Sequence, residues 1–168
     1  MTAIQHRYHP MLEKIISGGQ TGADRAALDA ALEAGFPAGG CCPVGRKAED
    51  GTIDARYPLQ EIGGGYRART RRNVEDADGT AIFYSSTPSG GTELTLLFCI
   101  KTGKPYKLID IDLVTPERAA QLLAVFAGGA GIATLNVAGP RHSGCPAVYA
   151  FVKDSVSRLI AAGDHRQG

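Results

Sequence analysis

The chain has no surplus charge of one sign, no long apolar run and no paired-cysteine motif, and each absence removes a class of function. Its 168 residues carry 18 basic and 17 acidic side chains, for a net charge of +1. That balance leaves no bulk electrostatic footprint for nucleic acid, so any anion site must be local. No apolar stretch reaches the roughly 18 residues of a membrane span. The opening "MTAIQHRYHP" lacks the apolar centre of a secretory leader. The expectation is a cytoplasmic, soluble protein with neither nucleic acid nor membrane as partner. The cysteines Cys41, Cys42, Cys99 and Cys145 form no C-x-x-C pair. Adjacent Cys41 and Cys42 cannot both reach one tetrahedral ion without strain, so no metal site is expected. The pairs His142 with Cys145 and His6 with His9 read as loop histidines and a small buried thiol.

Glycine is abundant, with 22 residues, but it clusters beside apolar runs instead of repeating. Between the clusters, short β-type runs alternate with helical ones. "EKIIS" (13–17), "TAIFYS" (80–85), "YKLIDI" (106–111) and "IATLNVAG" (132–139) read as strands, with a further short one near 59–62. Helices are expected over 23–33, 66–77, 92–103, from Thr115 onward, and over 146–162. In the first, Ala27, Leu28, Ala31 and Leu32 share a face and Gly35 follows as a stop. Thr115 and Pro116 form a cap and a first helical residue. Strands separated by helices require parallel pairing, hence a doubly wound α/β fold with helices on both faces of a mostly parallel sheet. One domain is expected over 12–163, with tails at 1–11 and 164–168.

In such sheets ligands bind beyond the carboxyl ends of the strands. The first loop there, "SGGQTGAD", is nearly a G-x-G-x-x-G fingerprint, with Ser17 in place of the first glycine. No Lys-Ser/Thr pair follows to make it a Walker loop. Gly18, Gly19, Gln20, Thr21, Gly22 and Asp24 are candidate phosphate contacts, because glycine admits close approach and a helix start favours an anion. Thr21 and Asp24 also have capping-box spacing. The second loop, "TPSGGTELT", places Ser89, Gly90, Gly91 and Thr92 before another helix. Together the loops predict two helix N-termini facing one crevice.

In "YRARTRRNVEDAD" arginines crowd the helix start, against the helix dipole. Arg69 and Asn73, one turn apart, are positioned to reach an oxyanion, while Arg67 and Arg71 are expected in solvent. The sixteen residues of 43–58 have little regular pattern, and long loops of this kind are commonly functional. Arg46, Glu49 and Asp50 are its candidate ligand contacts. Arg141 in "AGPRHSG" follows the last strand.

The blocks "SGGQTGADRAALDAA", "CPVGRKAEDG", "YRARTRRNVEDADGTAIF", "SGGTELT" and "LNVAGPRHSGCP" resemble the molybdenum carrier family, described also as the circularly permuted YpsA-like branch of the SLOG superfamily. The resemblance runs from about Ile15 to Leu159. It implies a single-domain Rossmann-like fold related to the cytokinin-activating and lysine-decarboxylase-like nucleotide proteins. It further implies a molybdenum cofactor, molybdate or nucleotide as ligand, and a homo-oligomer. The phosphoribohydrolase relatives carry P-G-G-x-G-T-x-x-E with a catalytic glutamate. Here Thr95 stands at that place and Glu93 is two residues out of step, which on a helix points elsewhere. The expectation is therefore a binding protein for a phosphate-bearing or oxyanion ligand. The alternatives are a nucleotide hydrolase using Glu49, Asp50 or Glu93, and a non-catalytic nucleotide sensor.

Overall fold

The computed structural model describes residues 12–164. The expected N-terminal tail, and residues 165–168 of the C-terminal one, lie outside the described residues. The apolar run "TAIFY" forms the longest strand, buried on both sides as parallel sheets require. In chain order the elements are β1 (Lys14–Ile16), α1 (Ala23–Glu33), β2 (Ala38–Gly39), β3 (Cys41–Pro43), β4 (Lys47–Ala48), β5 (Gly51–Thr52) and β6 (Gln60–Ile62). They continue as α2 (Gly65–Asp76), β7 (Gly79–Tyr84), α3 (Gly90–Thr102), β8 (Tyr106–Asp110), α4 (Pro116–Ala130), β9 (Thr134–Ala138) and α5 (Val148–Asp164). The Thr115 hydroxyl accepts a hydrogen bond from the Arg118 amide at 3.1 Å, and Pro116 follows as the first helical residue. α3 stops at Gly103, whose φ of 71° turns the chain into the left-handed region.

Five strands form the main sheet in the order β2-β1-β9-β7-β8, and every pairing in it is parallel. Side chains alternate between two cores. Ile15, Ala81, Phe83, Ile109, Leu135 and Val137 pack with α1, α4 and α5, while Ile82 packs with Val74 of α2 and Phe98 and Cys99 of α3. Each fully buried Phe, Leu or Ile side chain stabilises the fold by about 1.5–3 kcal/mol. α1 faces the larger core with Ala23, Ala26, Ala27, Ala30 and Ala31, a stripe small enough to let α5 approach closely. Two residues of the expected apolar face go elsewhere. Leu28 joins a third cluster with Cys42, Ile53 and Tyr57, and Leu32 is exposed.

The segment 43–58 is more regular than its sequence suggests. β3 pairs in parallel with β6, and β4 pairs antiparallel with β5 across the two-residue turn Glu49-Asp50. Among the described residues no helix is long and apolar enough to cross a membrane.

The chain steps outward from β1 to β2, re-enters at β7, steps outward again to β8, and returns to place β9 between β1 and β7. Connections leaving β1 and β7 thus diverge, and a crevice opens above the carboxyl end of β9.

Candidate functional site

A cleft of about 570 Å³ occupies that crevice, walled by the loops after β1, β7 and β9 and by one face of α2. Gly18, Gln20, Asp24, Glu49, Arg69, Asn73, Ser89, Gly90, Gly91, Thr92 and Arg141 line it. Thr21, Gly22 and Asp50 line a neighbouring cavity that shares Glu49, and Gly19 and Arg46 line neither.

The loop after β1 is engaged in part by the protein itself. The Ala23 amide donates to the Pro140 carbonyl at 3.1 Å and the Arg25 amide to the Gln20 carbonyl at 2.9 Å. The Gln20 amide donates to Asp24 Oδ2 and the Thr21 amide to Gln20 Oε1. Gly22 caps α1 with φ 80°, and a Cβ there would lie 2.3 Å from the Pro140 carbonyl oxygen. At Gly18 a Cβ would lie 1.6 Å from Arg69 Nη1. The Gly19 carbonyl accepts from Arg25. These glycines let protein groups approach the loop, and Asp24 Oδ2 accepts from both the Gln20 amide and Arg69. The Gly18, Gly22 and Asp24 amides still have no acceptor among the described residues, so this helix start is engaged only in part. The capping-box reading of Thr21 and Asp24 is replaced. Gly22 is the cap, the Thr21 hydroxyl donates to Glu49, and Asp24 turns back to Gln20.

The start of α3 is different. Ser89 caps it without a side-chain hydrogen bond, and its carbonyl accepts from the Thr92 and Glu93 amides. The Gly90 and Gly91 amides have no acceptor among the described residues. A Cβ on Gly91 would meet nothing within 4 Å, and its φ is not positive, so neither packing nor backbone geometry demands glycine there. Its missing side chain keeps the first turn of α3 open to the cleft. Glu93 does not line the cleft, whereas Thr95 does, its hydroxyl donating to the Gly91 carbonyl.

Arg69 reaches across from α2. Its Nη1 donates to Asp24 Oδ2 at 3.2 Å, with the two side chains 13% and 8% exposed. Its Nε is buried with no acceptor. Burial raises the Asp24 carboxyl above the ordinary carboxylate range, against the pull of Arg69, the Gln20 amide and Arg25. Asn73 lies beside Arg69 on this wall, but its amide is engaged elsewhere. Oδ1 accepts from the Cys41 amide at 2.8 Å and Nδ2 donates to the Cys41 carbonyl at 3.0 Å, which pins β3 to α2.

Glu49, at the tip of the β4–β5 hairpin, joins three loops. Its carboxylate accepts from the Thr21 hydroxyl, the Ser143 amide at 3.0 Å and the Ser143 hydroxyl at 2.6 Å, and Arg141 Nε lies 3.7 Å away. These donors, the serine and threonine hydroxyls foremost, lower its pKa to about 2. Asp50 pairs with Arg25 at 3.0 Å, which lowers its pKa too. Arg46 turns away from the cleft. Its guanidinium donates to the carbonyls of Ile53, Asp54, Tyr57 and Leu59, holding the segment after the hairpin in place.

The sequence reading passed over Tyr66, Thr70, Tyr84, Thr95 and Asn136 as cleft residues. Asn136 left a trace: in "TLNVA" it is the polar residue between Leu135 and Val137, which face the opposite core.

A model of the circularly permutated YpsA SLOG family matches residues 15–160. A solved protein of Syntrophus aciditrophicus SB, named "Putative molybdenum carrier protein", is 43% identical with a TM-score of 0.87. That similarity covers 90% of this chain and 96% of the other. No protein of curated function matches. With the fold, the loop order and both similarities in agreement, the chain belongs to the circularly permutated YpsA SLOG family.

Proposed function

We propose that the cleft binds a phosphate-bearing small molecule, with the anion at the first turn of α3 beside Arg69. The carrying observation is the unpartnered Gly90 and Gly91 amides, on a turn that glycine leaves open without any packing reason. Helix-start amides and a guanidinium together favour a tetrahedral oxyanion. The volume of about 570 Å³ falls within the range of small-molecule pockets and far exceeds what a bare oxyanion fills. A mononucleotide or a phosphorylated pterin suits it better than free molybdate. The similar protein named as a molybdenum carrier supports the molybdenum cofactor, which carries both pterin and phosphate, as the cargo.

The engagement of the carboxylates supports carriage over turnover. Glu49 is held ionised by its donors, Asp50 is engaged with Arg25, and Glu93 does not line the cleft. The buried, unpaired Cys41, Cys42 and Cys99 support residence in a reducing compartment such as the cytoplasm.

A thermal-shift panel of molybdate, tungstate, mononucleotides, ADP-ribose and NAD tests the reading. A ligand at a hundred times its dissociation constant stabilises by about 2.7 kcal/mol. The expected result is stabilisation by a phosphorylated organic ligand, lost in Gly91→Val, whose added side chain fills the open turn. No stabilisation by any member of the panel refutes it.

A further inference from the structure

Most polar residues buried in the described chain line this one cleft: Asp24, Thr70, Asn73, Thr92, Thr95 and Asn136. Asp24, Asn73 and Thr95 are engaged with protein partners. Asn136 is not fully engaged. It sits on β9, two residues inside the carboxyl end at Ala138, or about 7 Å below the rim by strand rise. Only 3% of it is exposed. Its Nδ2 donates to Thr80 Oγ1 at 3.3 Å, while its Oδ1 has no donor among the described residues. Thr92, 5% exposed, and Thr70, 8% exposed, also contribute hydroxyls to the cleft without a protein partner.

We infer that Asn136 Oδ1 accepts a hydrogen bond from an N–H on the edge of the ligand's ring, so that the cleft selects phosphorylated heterocycles carrying a ring-edge amino or lactam N–H. The inference rests on the anion site proposed at α3, which fixes one end of the ligand. A ligand ring that covers this oxygen without offering a donor leaves it unpaired, which is costly, whereas one that supplies an N–H avoids the cost. An acceptor cannot satisfy Oδ1, so a ring edge with bare nitrogens or carbonyls is rejected. The hydroxyls of Thr70 and Thr92 can donate or accept and so tolerate either pattern beside it. Tyr66, half exposed on the same wall, offers a face for the ring to stack on. Purines with an amino or lactam edge and pterins share this chemistry.

Isothermal titration separates the two claims, using AMP, GMP, purine riboside 5′-monophosphate and ribose 5-phosphate. AMP and purine riboside 5′-monophosphate differ by the ring amino group, and GMP presents the amino-lactam edge that pterins also have. The expected result is that the better of AMP and GMP binds at least about tenfold more tightly than purine riboside 5′-monophosphate, as expected for a site that would otherwise be left with an unpaired polar group. In Asn136→Leu that gap closes to within about threefold, while ribose 5-phosphate binds as in the wild type. Equal wild-type binding of purine riboside 5′-monophosphate and both nucleotides overturns the role of Asn136 and leaves the anion site standing. A gap that persists unchanged in Asn136→Leu does the same. Binding of none of the four overturns the anion site and this inference with it. The ligand comparison needs no variant, so it stands even if Asn136→Leu fails to fold.

Discussion

Gly18 and Arg69 fit against each other so closely that a Cβ on residue 18 would fall 1.6 Å from Arg69 Nη1. The guanidinium lies over the bare backbone of the loop after β1, which brings it to Asp24 at 3.2 Å. The conflict in Gly18→Ala is with the far end of a flexible side chain, so the fold survives and Arg69 is pushed off Asp24. Phosphorylated ligands should bind Gly18→Ala about tenfold or more weakly, for a loss of roughly 1.4 kcal/mol or more, measurable by titration. Unchanged affinity would remove Arg69 from the site.

Asp24 places a titratable carboxyl, its pKa raised by burial, next to the guanidinium proposed to meet the anion. Asp24→Asn keeps the hydrogen-bond geometry and fixes the group as neutral, so affinity for a phosphorylated ligand should gain on the wild type as pH rises through the folded pKa of Asp24. Stability has its own sign. A carboxyl whose folded pKa lies above 3.8 contributes stability fully below pH 3.8 and loses it as pH rises through the folded value. The melting temperature of Asp24→Asn should therefore gain on the wild type as pH increases from about 4 toward neutrality.

Glu49 behaves in the opposite sense. Its pKa is lowered from 4.5 to about 2, so its contribution is present above pH 4.5 and lost as pH falls toward 2. Glu49→Gln should flatten the acid limb of the stability profile in that window. Amides of the β4–β5 hairpin should then exchange hydrogen faster, because the tip is no longer fastened to Thr21 and Ser143. Slow, wild-type exchange in the variant would show that the hairpin is held by other contacts.

Arg46 separates a structural arginine from a binding one. One guanidinium serves four backbone carbonyls, an arrangement that the point charge of lysine cannot reproduce. Arg46→Lys should cost about 2–4 kcal/mol in a urea melt. Ligand affinity measured on the folded variant should stay within about twofold.

The alternation of helices and strands was legible because glycine and proline punctuate it, as at Gly103 and Pro116, and because a parallel sheet needs apolar runs such as "TAIFY". The short pairs β3–β6 and β4–β5 were not, since two- and three-residue strands carry no periodicity. In the site, the openness of α3 could be read from its glycines, but the same reading was incomplete at α1. There the glycines accommodate Arg69 and Pro140, residues distant in sequence, and no local pattern shows which neighbour fills the space. The engagement of Asn73 with Cys41 and of Glu49 with Ser143 was hidden for the same reason. Arg46 and Arg69 look alike in sequence. They differ only in which carbonyls or carboxylates the fold brings to them.

The central claim is that the ligand's anion sits on the first turn of α3 and not in the glycine loop after β1. Backbone amide NMR during titration with AMP tests it most directly. The largest shifts are predicted at the Gly90 and Gly91 amides, with smaller changes at Ala23 and Arg25, whose amides are already hydrogen-bonded to carbonyls. Shifts centred on residues 18–25 with Gly90 and Gly91 unmoved would contradict the account.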